Sequence, residues 1–472
     1  MKNFSPRIGF AWDVFGDGKT ALKGGFGLLY DVGNYGAMLF QSLSGDPPFT
    51  LQNAQNFKTN PATFTIPFTF TATGTQFPRP TWYYMGQPHL LSYNLAVERQ
   101  LPFDMALSVA YAGSHGIDLA KLTDGNPSIP NGVPNAAGTA CVQVAPGSAV
   151  NTASQIDTNA TSCFYSGANN FGPGNVAPLR RNINWASLDL FTTGASSYYS
   201  ALQFGLTKRI TKGLQFQSAY TWSHATDDNP GYSNVEQTTV QSSHTVDALH
   251  PNVDRGNSIL DITHIWKFNV LYNLPKFAAS DGFAGKIVNG WWMSSILSIQ
   301  TGLPFTVDLN TNRSASGLAN GGGGNDRPDL VPGRSLSSIV SGVTPNTCGS
   351  IPAGTALGTP TLYFDPCAFT DQPQGFYGTS GRNILRGPHY RDVDFSLVKD
   401  TNVSHLGENG KVEFRAEVFN LFNHPNFGMP ARVAFAGNEA NGAPPVLQAN
   451  VGVINTTATT SRQLQLALKI IF

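Results

Sequence analysis

Two glycine-rich runs could hold a phosphate group if either of them opened a helix. Residues 24–27 read GGFG, and Gly18 is followed by Lys19 and Thr20, as at the end of a P-loop. A P-loop needs a further glycine five residues before Gly18, where this chain has Asp13. The run 24–27 lies in a strand-like segment with no helix after it, so a dinucleotide site is not indicated. We expect these glycines to be small residues facing a crowded interior.

Acidic and histidine side chains could bind a metal ion if their spacing brought several ligands together. Asp308, Asp326 and Asp329 lie around a run of glycines, and an oxygen-rich calcium site is an alternative there. The ligand spacing of an EF-hand is absent, so a flexible loop is the simpler interpretation. The histidines are scattered, and neither HExxH nor GxSxG occurs. We therefore predict no enzymatic activity, no metal site and no cofactor.

The four cysteines form two close pairs in polar segments rich in glycine and proline. They are Cys141, Cys163, Cys348 and Cys367. No CxxC spacing occurs, so zinc binding and thioredoxin-like redox chemistry are not indicated. Proximity favours the disulfides Cys141–Cys163 and Cys348–Cys367 among the three possible pairings, which would require an oxidising compartment. Reduced thiols are the alternative.

The composition excludes several classes of protein. Only 12% of the 472 residues are charged, about half the usual share of a soluble domain, and 11% are aromatic. The net charge is +0 and no basic stripe occurs, so nucleic-acid binding is not indicated. The mean hydropathy is −0.14, and no apolar run reaches the ~18 residues of a transmembrane helix. A membrane-spanning β-barrel accounts for these values, because its strands alternate lipid-facing and lumen-facing residues.

Alternation with a period of two recurs along the chain and is clearest at its end. Leu464, Leu466, Leu468, Ile470 and Phe472 share one face of the last segment, and mostly polar residues occupy the other. Such segments have the length of roughly ten residues that a tilted strand needs to cross a bilayer. The predicted spanning strands, about eleven in number, are 5–14, 20–30, 89–101, 105–114, 199–210, 214–226, 262–274, 290–301, 391–400, 411–421 and 461–472.

The connections between these strands alternate between short turns and long loops. In outer-membrane barrels the short turns are periplasmic and the long loops are extracellular. A further strand-like run, 183–193, would break this order, and we assign it to an extension outside the membrane. Asp227 and Asp228 begin a long loop, where we expect them to be solvated. An odd number of strands does not make a complete single-chain barrel, so the fold class is a partial antiparallel transmembrane β-barrel.

Charged residues at alternating positions predict the interior of this barrel. Glu413, Arg415 and Glu417 alternate with apolar residues, and opposite charges on one face can pair. We predict that these three residues face the lumen, together with Asp394 and Lys267. Aromatic residues near strand ends are expected in the two interfacial girdles; they are Trp12, Tyr30, Tyr111, Trp222, Trp266 and Trp291.

Several motifs resemble those of TonB-dependent receptors of the Oar-like, carboxypeptidase-regulatory-like branch. The matching stretches are SPRIGFA at 5–11, YSALQ at 199–203, SAYTWS at 218–223, RNILRGP at 382–388, FRAEVFNLFNHPNFG at 414–428 and the last strand. They are spread over nearly the whole chain. The sequence departs from the family pattern at 261–264, where Thr263 stands in place of the usual arginine.

The resemblance implies a receptor in the bacterial outer membrane that imports a large, unidentified ligand. Such a barrel has about twenty-two strands, contains an N-terminal plug and draws energy from TonB. Its other expected partners are membrane lipid and the assembly machinery, which reads the terminal Phe472. The chain shows no signal peptide, plug or TonB box, so we expect residues 1–472 to be the C-terminal part of a barrel. A passive porin or surface adhesin is the alternative; a soluble carbohydrate-binding protein fits the apolar strand faces poorly.

Overall fold

The computed structural model covers the predicted strands and much of the chain between them. Most of the predicted loop 31–88, residues 183–187 and the glycine run 321–324 lie outside the described residues. The structure describes residues 3–31, 80–130, 132–137, 141–143, 163, 180–182, 188–229, 245–279, 282–309, 313–314, 316, 326–403, 407, 410–436 and 446–472.

One antiparallel sheet dominates the described residues and confirms the predicted all-β architecture. Eleven long strands follow one another in chain order, and each pairs with the next. No described residue pairs with the outer edge of the first or the last of these strands. The strands are β1 (Arg7–Asp13), β2 (Thr20–Tyr30), β3 (His89–Leu101), β4 (Met105–Asp124), β5 (Asp189–Thr211), β6 (Leu214–Asp227), β7 (His264–Asn273), β8 (Trp291–Gln300), β9 (Tyr390–Asn402), β10 (Lys411–Phe419) and β11 (Gln463–Ile471).

Strands β4 and β5 extend further than the predicted segments 105–114 and 199–210. Their pairing continues as far as Asp124 opposite Asp189, through register shifts between Gly116 and Ala120. A bulge bends a strand pair without ending it, which explains why the simple alternation stops before the strands do. Residues 189–193 of the predicted separate extension are therefore the beginning of β5 itself.

The register separates the sheet into two faces. Directly opposed residues in antiparallel strands share a face, and successive residues alternate between faces. Trp266 is opposite Tyr220 and Ile299, on what we call the apolar face. The next residue, Lys267, lies between Ala219 and Ser298 on the opposite, polar face. The same assignment holds along the ladder from β1 to β11, outside the bulged ends of β4 and β5.

Two short helices and several short strands accompany these eleven strands. One of the short strands, Gly256–Asn257, pairs with the end of β6 and so belongs to the same sheet. None of the helices in the described ranges is long and apolar enough to span a membrane. The helices are α1 (Phe283–Val288) and α2 (Leu336–Val340), with 3-10 turns at Pro251–Asp254 and Pro366–Ala368. The short strands are Gly132–Pro134, Cys141–Gln143, Gly256–Asn257, Pro304–Phe305, Asp308–Leu309, Asp329–Leu330, Phe369–Thr370, Leu385–Arg386, Val433–Ala436 and Val446–Leu447.

We expect Gly290→Ala to weaken the sheet where α1 leads into β8. Gly290 has a φ of +78°, and a Cβ there would lie 2.3 Å from the carbonyl oxygen of Asp400. A left-handed backbone and a backbone clash together should lower the free energy of unfolding by about 1–3 kcal/mol. The measurement is the urea midpoint of the detergent-solubilised protein.

Gly9→Ala is the matched control for this substitution. It adds the same methyl group within β1, where the nearest atom would be 3.5 Å away, an ordinary contact. Its midpoint should match that of the unmodified protein. Equal midpoints for Gly290→Ala and Gly9→Ala would contradict the expected strain.

Candidate functional site

A row of alternating charges occupies the polar face of β10. Arg415 donates to Glu413 at 2.9 Å and to Glu417 at 3.3 Å. The three side chains lie together because they occupy every second position of one strand. The guanidinium of Arg415 also lies 6.0 Å from the ring centre of Trp292, which shares the polar face. The structure thus brings three of the five predicted lumen residues into one ion-paired cluster.

The other two predicted lumen residues lie on the same face but outside this cluster. Asp394 accepts a hydrogen bond at 3.0 Å from the backbone N–H of Asn420, at the far end of β10. Lys267 is exposed on β7, opposite Ser298, which is itself opposite Asp392 of β9. Lys267, Ser298 and Asp392 therefore form a row of polar side chains across three neighbouring strands.

Further charged groups extend the polar face to the other end of the sheet. Lys23 of β2 and Glu98 of β3 form an ion pair of 2.6 Å. On β9, the buried oxygen atoms Asp392 Oδ1, Ser396 Oγ and Asp400 Oδ1 have no hydrogen-bond partner within the described part of the chain. Buried acceptors of this kind are costly unless a partner satisfies them.

Beyond the ends of the strands, the connections 301–389 and 420–462 fold together around a hydrophobic core, which we call the loop assembly. Its most buried aromatic residues are Phe305 and Phe364, with ring centres 5.7 Å apart. Short strands hold the two connections together: Asp308–Leu309 pairs in parallel with part of Val433–Ala436. The described residues of the connection 301–389, predicted to be a long loop, therefore share a hydrophobic core with the connection 420–462.

Arg382 joins the loop assembly to the end of the sheet. Its side chain is buried and forms an ion pair with the carboxylate of Asp227, the last residue of β6. It also donates to the carbonyl oxygens of Asp227 at 2.7 Å and Asp254 at 2.6 Å. The expectation that Asp227 and Asp228 are solvated is wrong, because Asp227 binds Arg382 and Asp228 accepts from the backbone N–H of Ser196.

Arg386, on the same motif as Arg382, makes a second connection of this kind. It forms an ion pair with Asp261, whose carboxylate is fully buried. The other oxygen of that carboxylate accepts from the backbone N–H of Ala225 at 2.6 Å. Asp261 thus joins β6 to the segment that precedes β7 and to the loop assembly, which is why a buried charge is tolerated there.

Asp254 is the centre of a third buried contact. It lies 3.1 Å from Arg327 and accepts a hydrogen bond from the backbone N–H of Val246 at 2.7 Å. Burial raises the pKa of Asp254, and the neighbouring Arg327 and the hydrogen bond oppose that rise. The pair places the 3-10 turn Pro251–Asp254 against the loop assembly.

A further buried arginine–aspartate pair lies at the bulged ends of β4 and β5. Arg180 lies 2.6 Å from Asp124, and both side chains are buried. Asp124 also accepts from the backbone N–H groups of Asn126 and Leu188. Ser128 donates to the carbonyl oxygen of Ser316, so this region contacts the connection 301–389 as well.

The structure joins the cysteines in the pairs that proximity favoured. Cys141 is bonded to Cys163, and Cys348 is bonded to Cys367. The second bond lies in the loop assembly next to the 3-10 turn Pro366–Ala368, where Asp365 accepts from the backbone N–H of Cys367 and pairs with Arg334. Both crosslinks therefore lie in connections, outside the spanning strands.

The groups considered for phosphate and calcium binding have other structural roles. The backbone N–H groups of Gly16 and Gly18 donate to the carboxylate of Asp13 in the turn between β1 and β2. Gly24 lies on the apolar face, against the ring of Phe10, so the expectation that it faces the interior is wrong; a Cβ there would be 2.4 Å from that ring.

Each of the three aspartates considered for calcium has a partner within the protein. Asp308 pairs with Arg432, Asp326 accepts from Ser314 and Gln372, and Asp329 accepts from Thr379. Within the described residues, no three His, Cys, Asp or Glu side chains are grouped as metal ligands.

Several solved outer-membrane proteins align with nearly the whole chain at low sequence identity. The outer membrane transporter YddB from Escherichia coli is 9% identical with a TM-score of 0.47, over 99% of this chain and 40% of that one. The ferric-catecholate import receptor Fiu from E. coli is 9% identical with a TM-score of 0.36, over 98% of this chain and 34% of that one. The copper transporter OprC is 9% identical with a TM-score of 0.34, over 98% and 38%.

The chain thus spans well under half the length of these structures. A comparison with curated proteins finds no match. The family model for the outer membrane beta barrel domain, in contrast, matches residues 1–465, nearly the whole chain. This match agrees with the antiparallel sheet and its two faces, and it confirms the expected location. The protein belongs to the outer membrane beta barrel domain family and resides in the bacterial outer membrane.

Proposed function

We propose that this chain forms part of the wall of an outer-membrane receptor that imports a large ligand with energy supplied through TonB. The observation that carries the proposal is the charged, ion-paired polar face, which extends from Lys23 and Glu98 to the Arg415 cluster. A lumen lined in this way suits a folded polar plug better than an apolar cargo. The resemblance of the sequence to TonB-dependent receptors supports the same conclusion. The role is non-enzymatic.

The polar face offers contacts for such a plug. Glu413, Arg415, Glu417, Asp394 and Lys267 would line the lumen, and opposite charges on a plug could pair with them.

The loop assembly is the natural place for ligand recognition. Long external loops carry function in proteins whose scaffold is rigid. Here the loops are themselves held by a hydrophobic core, a disulfide and buried arginine–aspartate pairs. A pre-organised binding surface loses less conformational entropy when a ligand binds.

Completion of the wall requires further strands. In hydrocarbon, each unpaired backbone group costs several kcal/mol, so an open sheet edge is not stable. We propose that β1 and β11 pair with strands of a larger barrel, and that this chain is its C-terminal part. Phe472, which is 93% exposed beyond β11, is available to the assembly machinery.

Conductance distinguishes the receptor from the alternative, a passive porin or adhesin without energy coupling. We expect the native-length protein, purified from outer membranes and inserted into a planar bilayer, to show almost no steady current, because a plug fills a receptor lumen. The same protein should conduct once its plug is deleted. A large steady current from the intact protein would refute energy-coupled uptake and support a porin.

Arg382→Gln should loosen the loop assembly while the sheet stays folded. The substitution leaves the carboxylate of Asp227 without its charged partner, and breaking a buried pair costs about 3–5 kcal/mol. We expect faster cleavage within 326–389 by an external protease on whole cells.

Arg462→Gln is the control for this experiment. It removes the same charge from an exposed position before β11, where the only hydrogen bond of the side chain among described residues is 3.5 Å long. Its cleavage rate should equal that of the unmodified protein. An unchanged rate for Arg382→Gln would show that the buried pair does not hold the loops.

A further inference from the structure

Charge is distributed unequally between the two faces of the sheet. Away from the bulged ends of β4 and β5, the acidic side chains of the described strands fall on the polar face by register. The charged side chains of the apolar face are basic: Arg99, Lys208 and Lys399 near the short turns, and Arg391 near the long loops. On the described strands, the apolar face, which meets lipid, therefore carries no carboxylate that would repel an anion.

A groove of about 210 Å³ surrounds Arg391 at the loop end of the apolar face. Its walls come from four adjacent strands, β6 to β9, and from the residues next to them. The lining residues that matter here are Tyr220, His264, Trp266, Ile299, His389 and Arg391.

The cationic group of this groove is available to a ligand as far as the described residues are concerned. The guanidinium of Arg391 is exposed and makes no hydrogen bond or ion pair with any residue that the structure describes. The backbone N–H of Arg391, in contrast, donates to Asn426 at 2.8 Å, which fixes the start of β9. The backbone of Arg391 is therefore fixed, while its guanidinium can bind a ligand.

Two imidazoles complete the polar part of the groove. His264 Nδ1 lies 2.8 Å from the hydroxyl group of Tyr220. When that hydroxyl donates, the ring proton is on Nε2, which can donate in turn to a ligand. Burial and the neighbouring Arg391 lower the pKa of His389, which favours its neutral form, with one nitrogen able to donate.

The remaining walls are apolar and fixed. Trp266 donates from its indole N–H to Ser218 at 3.0 Å, which holds its ring in place. Ile299 lies directly opposite Trp266 on β8. By register, Arg391, Ile299 and Trp266 lie in one row across β9, β8 and β7, so the cationic group has an aliphatic and an aromatic side chain beside it.

We propose that this groove binds the phosphate-bearing headgroup of a lipid in the outer leaflet. Arginine recognises phosphate through charge-assisted, often bidentate hydrogen bonds. A basic residue on a lipid-facing surface is costly at the bilayer midplane and tolerated near the interface, where Arg391 lies. Trp266 and Ile299, in the same row as Arg391, then give the lipid an apolar surface beside its headgroup. The assignment of this end to the outer leaflet rests on the orientation with long loops outside.

The test uses the native-length protein purified from outer membranes in a non-ionic detergent. Native mass spectrometry counts bound lipid during titration with diphosphoryl lipid A, with the fully dephosphorylated lipid as a second probe. We expect saturable binding of the phosphorylated lipid and about tenfold weaker binding to Arg391→Gln, the loss of one charge-assisted contact. Arg391→Lys, which keeps the charge, should lie between the two.

Lys276→Gln is the matched control, because it removes one exposed positive charge in the turn after β7, at the opposite end of the sheet. It should bind as the unmodified protein does, and a heat-modifiability gel shows whether each variant is folded. Equal affinity of folded Arg391→Gln, equal binding of the dephosphorylated lipid, or an equal loss in Lys276→Gln would overturn the proposal. Full displacement by millimolar inorganic phosphate would identify a simple anion site instead. None of these readouts depends on conductance or uptake.

Discussion

The hydrogen-bond requirement of the backbone in hydrocarbon determines the rest of this structure. A strand that crosses a bilayer must pair with neighbours on both edges, since no water is available to its N–H and C=O groups. Pairing in an antiparallel ladder fixes the register, and the register fixes which side chains share a face. Adjacent residues such as Trp266 and Lys267 therefore lie on opposite faces of the sheet. One constraint on the main chain therefore produces both an apolar face and a charged face of the sheet.

The strands were predictable from the sequence because the alternation between the two faces depends only on neighbouring residues of one strand. The bounds of β2 and β3 follow from alternation over about ten residues, and the structure places them at Thr20–Tyr30 and His89–Leu101. The alternation fails where the ladder is irregular: β4 continues through a bulge beyond Gly116 to Asp124, and no period of two marks that part. The charged row Glu413, Arg415 and Glu417 was predictable for the same reason as the strands, because its members are two residues apart.

The loop assembly was not predictable, because its contacts join residues that are far apart in sequence. Arg382 and Asp227 are separated by 155 positions, and Arg386 and Asp261 by 125. The motif at 382–388 was visible as a resemblance, but nothing local indicated which carboxylates its arginines would reach. Buried ion pairs add little net stability, because desolvation offsets their attraction. A packing of the connections that buried one of these charges without its partner would be strongly destabilised. The ion pairs therefore specify how these long connections pack.

The unequal distribution of charged side chains between the two faces of the sheet also has consequences for how the protein contacts the membrane. Carboxylates on the polar face can pair with lysine or arginine across strands, as Glu98 does with Lys23. On the apolar face of the described strands no such partner is close, and an anion at the interface would face the negative surface of the lipid. Basic side chains there are attracted to that surface, and long ones reach it from near a strand end. The arrangement of Arg391 at one end and of Arg99 and Lys208 at the other therefore suits a wall held between two layers of anionic headgroups, whereas Lys399 is buried and donates to the carbonyl oxygen of Asp400.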